Sequence, residues 1–463
     1  MFKKKTVIFF KKTTVSFRQR KKTCFISNKK TMIKQYITQA LAQLRQQPII
    51  SAVSIIGTAL AIFLIMLVVM MQQVKTAPFA PESNRDRFLH GHYLSISNEQ
   101  WGKGNTSNGP MSVQTAKELW QSLKTPEAVT IYGCQATTTP VSLPKKAASS
   151  FDLRQTDDVF WRVFDFTFID GKPYDKATFD AAIPVAVLSE TVARVVFGTT
   201  EGIVGKEFLL NHAPYQVCGI VKDVSILASS TYAQLWIPYT AGGLDNDVWN
   251  DNHMGMMTCT LLAKSREDFP IIREEANRKL EEYNKIIGED GWKIISRNRP
   301  YDQETQSVAY WANAEPNLPG ERGRQLVIFL ILLIVPAINI SSMTQSRLRQ
   351  RVSEIGVRRA FGSTRLEVMS QIIAENFIVT LLAGALGLLM SVVFAFVGSS
   401  MLFAQEYSTS LASPEVDASM LLQLDTFLWA FFFCFVLNLL SSGLPAWKAS
   451  RIGIVNAISG KLH

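Results

Sequence analysis

The chain has 463 residues, 47% of them hydrophobic and 19% charged, with a mean hydropathy of +0.11. That is too apolar for an ordinary soluble domain and too polar for a protein made only of membrane spans, so a membrane anchor carrying a water-exposed domain fits best. Of the 48 Lys and Arg, eleven lie in residues 1–31, which hold no Asp or Glu, leaving 37 basic against 38 acidic residues elsewhere; outside the tail, the formal net charge of +10 gives no nucleic-acid signal.

That basic tail reads as an arm on the inner membrane face, as a nucleic-acid arm, or as upstream sequence from a start codon placed too early. It has no apolar stretch of signal-peptide length and no small-residue cleavage site. An amphipathic segment, 32–48, follows it.

Four nearly charge-free runs are long enough to cross a bilayer: 49–72, 325–346, 376–399 and 426–447. At 1.5 Å rise, about 20 residues cover the ~30 Å hydrocarbon core. Lys34 and Arg45 precede the first run, six arginines fill the link between the second and third, and Lys448, Arg451 and Lys461 follow the fourth. The positive-inside rule puts all three segments in the cytoplasm, with both termini, and puts 73–324 and the loop 400–425 outside. The predicted fold class is therefore a four-helix membrane protein with a large α+β extracytoplasmic domain inserted between helices 1 and 2.

Within the outer region, IPVAVLS reads as a strand running into ETVARVVFG, a short helix that Ser189 can N-cap. KEFLLNHAPYQVCGIV reads as two strands around an Asn-His-Ala-Pro turn, and SREDFPIIREEANRKLEEYNKII as an exposed amphipathic helix. The five cysteines, Cys24, Cys134, Cys218, Cys259 and Cys434, follow no CxxC spacing, so no zinc site is supported; one bridge among Cys134, Cys218 and Cys259 stays open. HMGMMTC and His90-Gly-His92 carry soft or imidazole ligands, but the first does not put its sulfurs on one strand face and the second lacks partners, so no metal is expected. Ser189-Glu190 has no nucleophile elbow around it. No 20 to 50 residue repeat and no inverted membrane halves occur.

The link 347–375 is the most distinctive stretch. Leu348, Val352 and Ile355 fall on one helical face and Arg347, Arg351, Glu354 and Arg358 on another, an amphipathic continuation of the second span. Gly362 suits a helix C-terminus, and Thr364-Arg-Leu-Glu367 has the form of a capping box that starts a new helix. Two helices thus meet at a short elbow, which either touches lipid headgroups or receives a cytoplasmic partner. In the third span, Ala383, Gly384 and Gly387 allow close helix approach, to another span or to a second protomer, or simply pack facing lipid.

SEIGVRRAFGSTRLEVMSQIIAEN followed by LLAGALGLLMS resembles the signature and following span of the MacB/FtsX-like family of ABC-transporter permeases. LPAWKASRIGIVNAI is similar to that family's C-terminal ending, and FWRVFDFTFIDGKPY, VAVLSETVARVVFG and GIVGKEFLLNHAPYQVCGIVKDV are similar in order and spacing to its periplasmic domain. Departures are Gly453-Ile454 where a proline is usual and Phe361 where a leucine is common.

The resemblance implies a permease subunit of the bacterial inner membrane that forms a homodimer, or a heterodimer with a related permease. It binds a separate cytoplasmic ABC ATPase through the elbow residues Glu354, Ile355, Gly356, Arg358, Arg359, Ala360, Phe361, Gly362 and Ser363. ATP-driven closure then moves the periplasmic domain for export or envelope extraction, with a periplasmic adaptor and an outer-membrane channel as further partners. No GxxxxGK[ST] occurs, so this chain is expected to bind no cofactor itself and to leave ATP-Mg to the partner. The alternative is an FtsX-like regulator whose outer domain activates a cell-wall hydrolase. The amphipathic lead of the family begins at Met32, so the functional chain is expected to start there. Mass spectrometry of the natively expressed N-terminus checks this, and recovered peptides from Phe2 to Lys30 would contradict it.

Overall fold

A computed structural model describes Arg45 and residues 48–102, 104–397 and 424–458. The basic tail 1–31, nearly all of the segment 32–48 and of the loop 400–425, and the last five residues lie outside the described residues. These form two compact units: one draws on the described parts of Met1–Val69, Gln325–Val393 and Gln423–His463, the other on those of Met70–Arg324 and Phe394–Leu422.

The first unit is helical. Its helices are the greater part of Pro48–Thr76, Leu318–Gln350 and Arg365–Val397, whose stretches 70–76, 318–324 and 394–397 belong to the second unit, together with Leu424–Arg451 and the short helices Val352–Ala360 and Ile454–Ile458. Among the described residues two helices, Ser51–Thr76 and Arg365–Val397, are long and apolar enough to cross a membrane. Gly387 of the latter lies so close to the former that a Cβ there would stand 2.7 Å from the Ala59 carbonyl oxygen and 3.1 Å from the Ile62 Cβ. Ala383, 0% exposed, and Gly384 are buried on the same helix. The partner left open by the small-residue spacing is therefore, at Gly387, the first helix of the same chain, approached as small residues permit.

The second unit is α+β. Strands Leu235–Pro238, Val185–Ser189, Ala213–Val221, Glu207–Leu210, Thr137–Ser142 and Ser149–Thr156 pair in that order, and the last pairs again with the first, closing a ring of six. Inward residues of all six strands, among them Val141, Phe151, Leu188, Phe208, Ile220 and Leu235, share one core. The sheet continues through Ala128–Gly133, Met257–Leu262, Phe88–His90 and Tyr301–Asp302. The amphipathic helix Phe269–Ile287 joins a second core through Phe269, Ile272, Ala276, Tyr283 and Ile287, the spacing of one helical face.

Local signals act as their chemistry dictates. The Ser189 side chain accepts from Val192 N at the start of Glu190–Phe197, and Gly198 ends that helix in the left-handed region. The hairpin turn is tighter than the four residues expected: only Asn211 and His212 carry positive φ, 47° and 67°, and Ala213-Pro214 already belong to the strand. Cys134, Cys218 and Cys259 are free, so none bridges another. Met254, Met257 and Cys259 fill the second core. His90 and His92 hydrogen-bond Gln303 and Gln306 at 2.8 and 3.1 Å.

His90 is 2% exposed, and burial pushes its ring down from 6.5 to about 4. It is neutral in the fold, while in the unfolded chain it takes up a proton below about 6.5. Stability present at pH 7 is therefore lost as pH falls from about 6.5 toward 4, at up to about 1.4 kcal/mol per pH unit. Residues 73–324 expressed alone are expected to unfold in one cooperative thermal transition. Burial pushes the Asp157 carboxyl up to about 7, which acts oppositely over the same window. The His90 contribution is therefore read by comparison, His90→Gln losing less midpoint between pH 7 and pH 5 than the native domain does. A molten product contradicts the boundary, and an unchanged slope contradicts the role of His90.

Candidate functional site

Between the helices Leu318–Gln350 and Arg365–Val397 the chain does not run as one amphipathic continuation. Arg351 breaks it, with φ −113° and ψ 12°, and Val352–Ala360 forms a separate helix. Its apolar face is the expected one: Val352 and Ile355 are buried, and Ile355 packs with Val368, Ile372, Ala446 and Ala449, with Leu348 against them. The elbow helix is thus wedged between the start of the third long helix and the end of the fourth.

Its polar face is knitted to the third helix by a closed ring of hydrogen bonds. Arg351 Nε donates to Glu354 Oε2 at 2.8 Å, Arg358 Nη2 to Glu354 Oε1 at 2.6 Å, and Arg358 Nη1 to Gln371 Oε1 at 2.8 Å. Gln371 Nε2 donates to Glu375 Oε1 at 2.9 Å, and Arg351 Nη1 to Glu375 Oε2 at 3.1 Å, which closes the circuit. The hydrogen bond from Arg351, with the positive charge of both arginines, holds the Glu354 carboxyl below the usual range. Arg359 turns the other way: its Nη1 donates to the carbonyls of Ser450 and Ile452 at 3.1 and 2.5 Å, at the end of the fourth helix.

The elbow tip is built by backbone chemistry. Gly362 N donates to Arg359 O and Ser363 N to Arg358 O, both 3.1 Å, the paired bonds of a Schellman ending, and Gly362 takes φ +101°. A side chain at Gly362 would meet nothing within 4 Å, so the demand for glycine is conformational and not steric. Thr364 N then donates to Glu367 Oε2 at 2.9 Å and Glu367 N to Thr364 Oγ1 at 3.2 Å, the expected capping box.

The anticipated docking residues therefore divide. Ile355 and Gly356 are buried; Glu354, Arg358 and Arg359 are engaged within the chain, where the sequence suggested donors for a partner. Ala360, Phe361 and Gly362 are exposed, and Ser363 partly so. Phe361 is 90% exposed, and Val357 and Leu366, four and five residues away along the chain, are 45% and 71% exposed, an apolar tip on a braced base. Gln371 and Glu375 escaped the sequence reading, although a carboxylate four residues beyond a glutamine and next to an apolar run was a usable signal. Among the described residues no group of three or more His, Cys, Asp or Glu could hold a metal ion.

Comparison with known proteins gives this arrangement its context. The MacB-like periplasmic core domain matches residues 51–279, and the FtsX-like permease C-terminal domain matches residues 326–454, which contain the elbow. The chain belongs to the MacB/FtsX-like permease family. The macrolide export ATP-binding/permease protein MacB of Escherichia coli (strain K12) is 23% identical over 303 residues, 65% of this chain and 42% of that protein. The MacB protein of Shigella sonnei matches to the same extent. The chain thus spans less than half the length of the curated relatives it matches. Of solved structures, the periplasmic region of MacB from Actinobacillus actinomycetemcomitans is similar at 18% identity and TM-score 0.30, covering 44% of this chain and 90% of that one. The extracellular domain of the ABC-type transporter YknZ from Gram-positive bacteria is similar at 12% identity and TM-score 0.31, covering 44% and 99%.

The geometry assigns Arg359 a bracing task. Charge-assisted hydrogen bonds of this kind contribute about 1.5 to 3 kcal/mol each. Arg359→Gln is expected to loosen the end of the fourth helix, so that trypsin cuts after Arg451 several-fold faster in membranes. An unchanged cleavage rate would mean that the two carbonyls are held by something else.

Proposed function

We propose that this chain is the permease subunit of an ABC transporter and that the exposed tip at Phe361 docks a separate cytoplasmic ATPase. The observation that carries this is the contrast within the elbow: a base fixed by a hydrogen-bond ring and an apolar wedge, and an apolar tip left open to solvent. A large phenylalanine held out on a rigid support gains by being covered, whereas a segment made only for headgroup contact needs free arginines more than a bare aromatic ring. Arg358 and Arg359 are the braces, and contact falls to Val357, Phe361 and Leu366.

In this reading all four long helices span the inner membrane with both termini cytoplasmic, as the distribution of Lys and Arg favours. The subunit works as a dimer with itself or a related permease. ATP binding by the partner, which carries the ATP-Mg, pushes on the elbow and moves the periplasmic unit for export or extraction, with an adaptor and an outer-membrane channel as candidate collaborators. The names of the MacB relatives join an ATP-binding and a permease function in one protein. This supports placing an ATPase beside a chain that spans only part of their length.

Burying a phenylalanine contributes about 2 kcal/mol, which corresponds to roughly thirtyfold in affinity. Phe361→Asp is expected to weaken co-purification with the partner ATPase by about that factor while membrane insertion, read by cysteine labelling, stays intact. Undiminished co-purification would remove the tip from the interface.

A further inference from the structure

The first helix ends at Thr76, and its end is unusual in how its carbonyls are satisfied. Pro78 has no N–H, so the carbonyl of Val74 has no donor four residues on. Arg85 supplies one: its Nη1 donates to Val74 O at 2.8 Å and to Ala77 O at 3.1 Å. The same guanidinium donates from Nη2 to Leu227 O at 2.8 Å and from Nε to Glu82 Oε2 at 2.7 Å, and it lies over the Phe79 ring at 4.1 Å. The other oxygen of Glu82 accepts from Ser230 N, Thr231 N and Thr231 Oγ1 at 2.9 to 3.1 Å. Both side chains of this ion pair are 1% exposed.

The carbonyl between those two attachments is held from elsewhere. Gln303 Nε2 donates to Lys75 O at 2.8 Å, and its Oε1 bonds the His90 ring at 2.8 Å. The loop gripped by Arg85 and Glu82 leads into Leu235–Pro238, a strand of the six-membered ring that pairs with both Ser149–Thr156 and Val185–Ser189. On its far side Arg154, also buried, donates to Tyr232 O, Ser229 O and Gly133 O at 3.0, 3.2 and 2.9 Å. Three carbonyls of one helix end are therefore held by side chains from two separate parts of the outer unit, and the loop receiving them is pinned to the sheet.

A helix end needs only water or a glycine turn to satisfy its carbonyls. Stripping water from both members of an ion pair is costly, and well-packed apolar residues often stabilise a fold as well as such a pair does. What the pair adds is direction: a planar fork holding two carbonyls, a distant loop and a carboxylate fixes the helix end against both pull and rotation. We infer that Arg85, Glu82 and Gln303 form a rigid joint through which displacement of the first helix moves the outer β unit as one body. This rests on the coupling role proposed above and names the outer residues that carry it.

The test uses the full chain in lipid nanodiscs with the ABC ATPase that co-purifies with it, and spin labels introduced as unnatural amino acids at the exposed Val195 and Val455. ATP is expected to shift the distance between the labels in the native chain. The double variant Glu82→Leu, Arg85→Met keeps ATPase binding but loses more than half of that shift. Arg85→Lys keeps the charge beside Glu82 but lacks the fork, so it stays folded with a lowered unfolding midpoint and loses shift in the same direction. A native chain that shifts, together with folded variants that shift equally, overturns the joint alone. A native chain that binds the ATPase and shows no shift overturns the coupling reading and the joint with it.

Discussion

The closed circuit Arg351–Glu354–Arg358–Gln371–Glu375 is the constraint on which the helical unit's elbow depends. Each member makes two bonds within the circuit, so no side chain can swing away without breaking two contacts, and partial burial makes those contacts electrostatically stronger than they would be in water. The ring fixes the elbow helix to the first turns of the third long helix, while Ile355, Val368, Ile372, Ala446 and Ala449 fill the wedge beneath it. With this base fixed, the exposed Phe361 is held out on a rigid support.

The two units use one chemical device at their ends. In each, an arginine holds the last carbonyls of a long helix: Arg359 those of Ser450 and Ile452, Arg85 those of Val74 and Ala77. Guanidinium suits this because its planar fork reaches several acceptors at once and stays charged when partly dry. The difference lies in burial. Arg85 is sealed with Glu82, whereas Arg359 is only half-covered, so the Arg85 attachment is the more tightly specified of the two.

The sequence reveals features governed by neighbours along the chain. Gly362, the Thr364–Glu367 box, the Ser189 cap and the apolar stripe of Phe269–Ile287 all follow from chemistry within five residues, and all stand where their spacing puts them. Long-range contacts were invisible. The break at Arg351 follows from that residue serving both Glu354 and Glu375, twenty-four positions away, which helical periodicity cannot show. Arg358 and Arg359 looked free because Gln371, Ser450 and Ile452 meet them only after the chain has folded back. The six-strand closure needs Leu235–Pro238 to lie parallel to Ser149–Thr156, a pairing that strand propensity does not encode. Small-residue spacing showed that the third long helix could be approached closely, but not that the first helix of the same chain is the partner at Gly387.

The central claim is that the elbow tip meets an ATPase and not lipid, and photocrosslinking tests it most directly. A benzophenone side chain placed at Phe361 in native membranes containing the full chain is predicted to give an adduct with an ABC ATPase, with no such adduct from the buried position Ile355. Crosslinking from Phe361 to lipid alone would contradict the account.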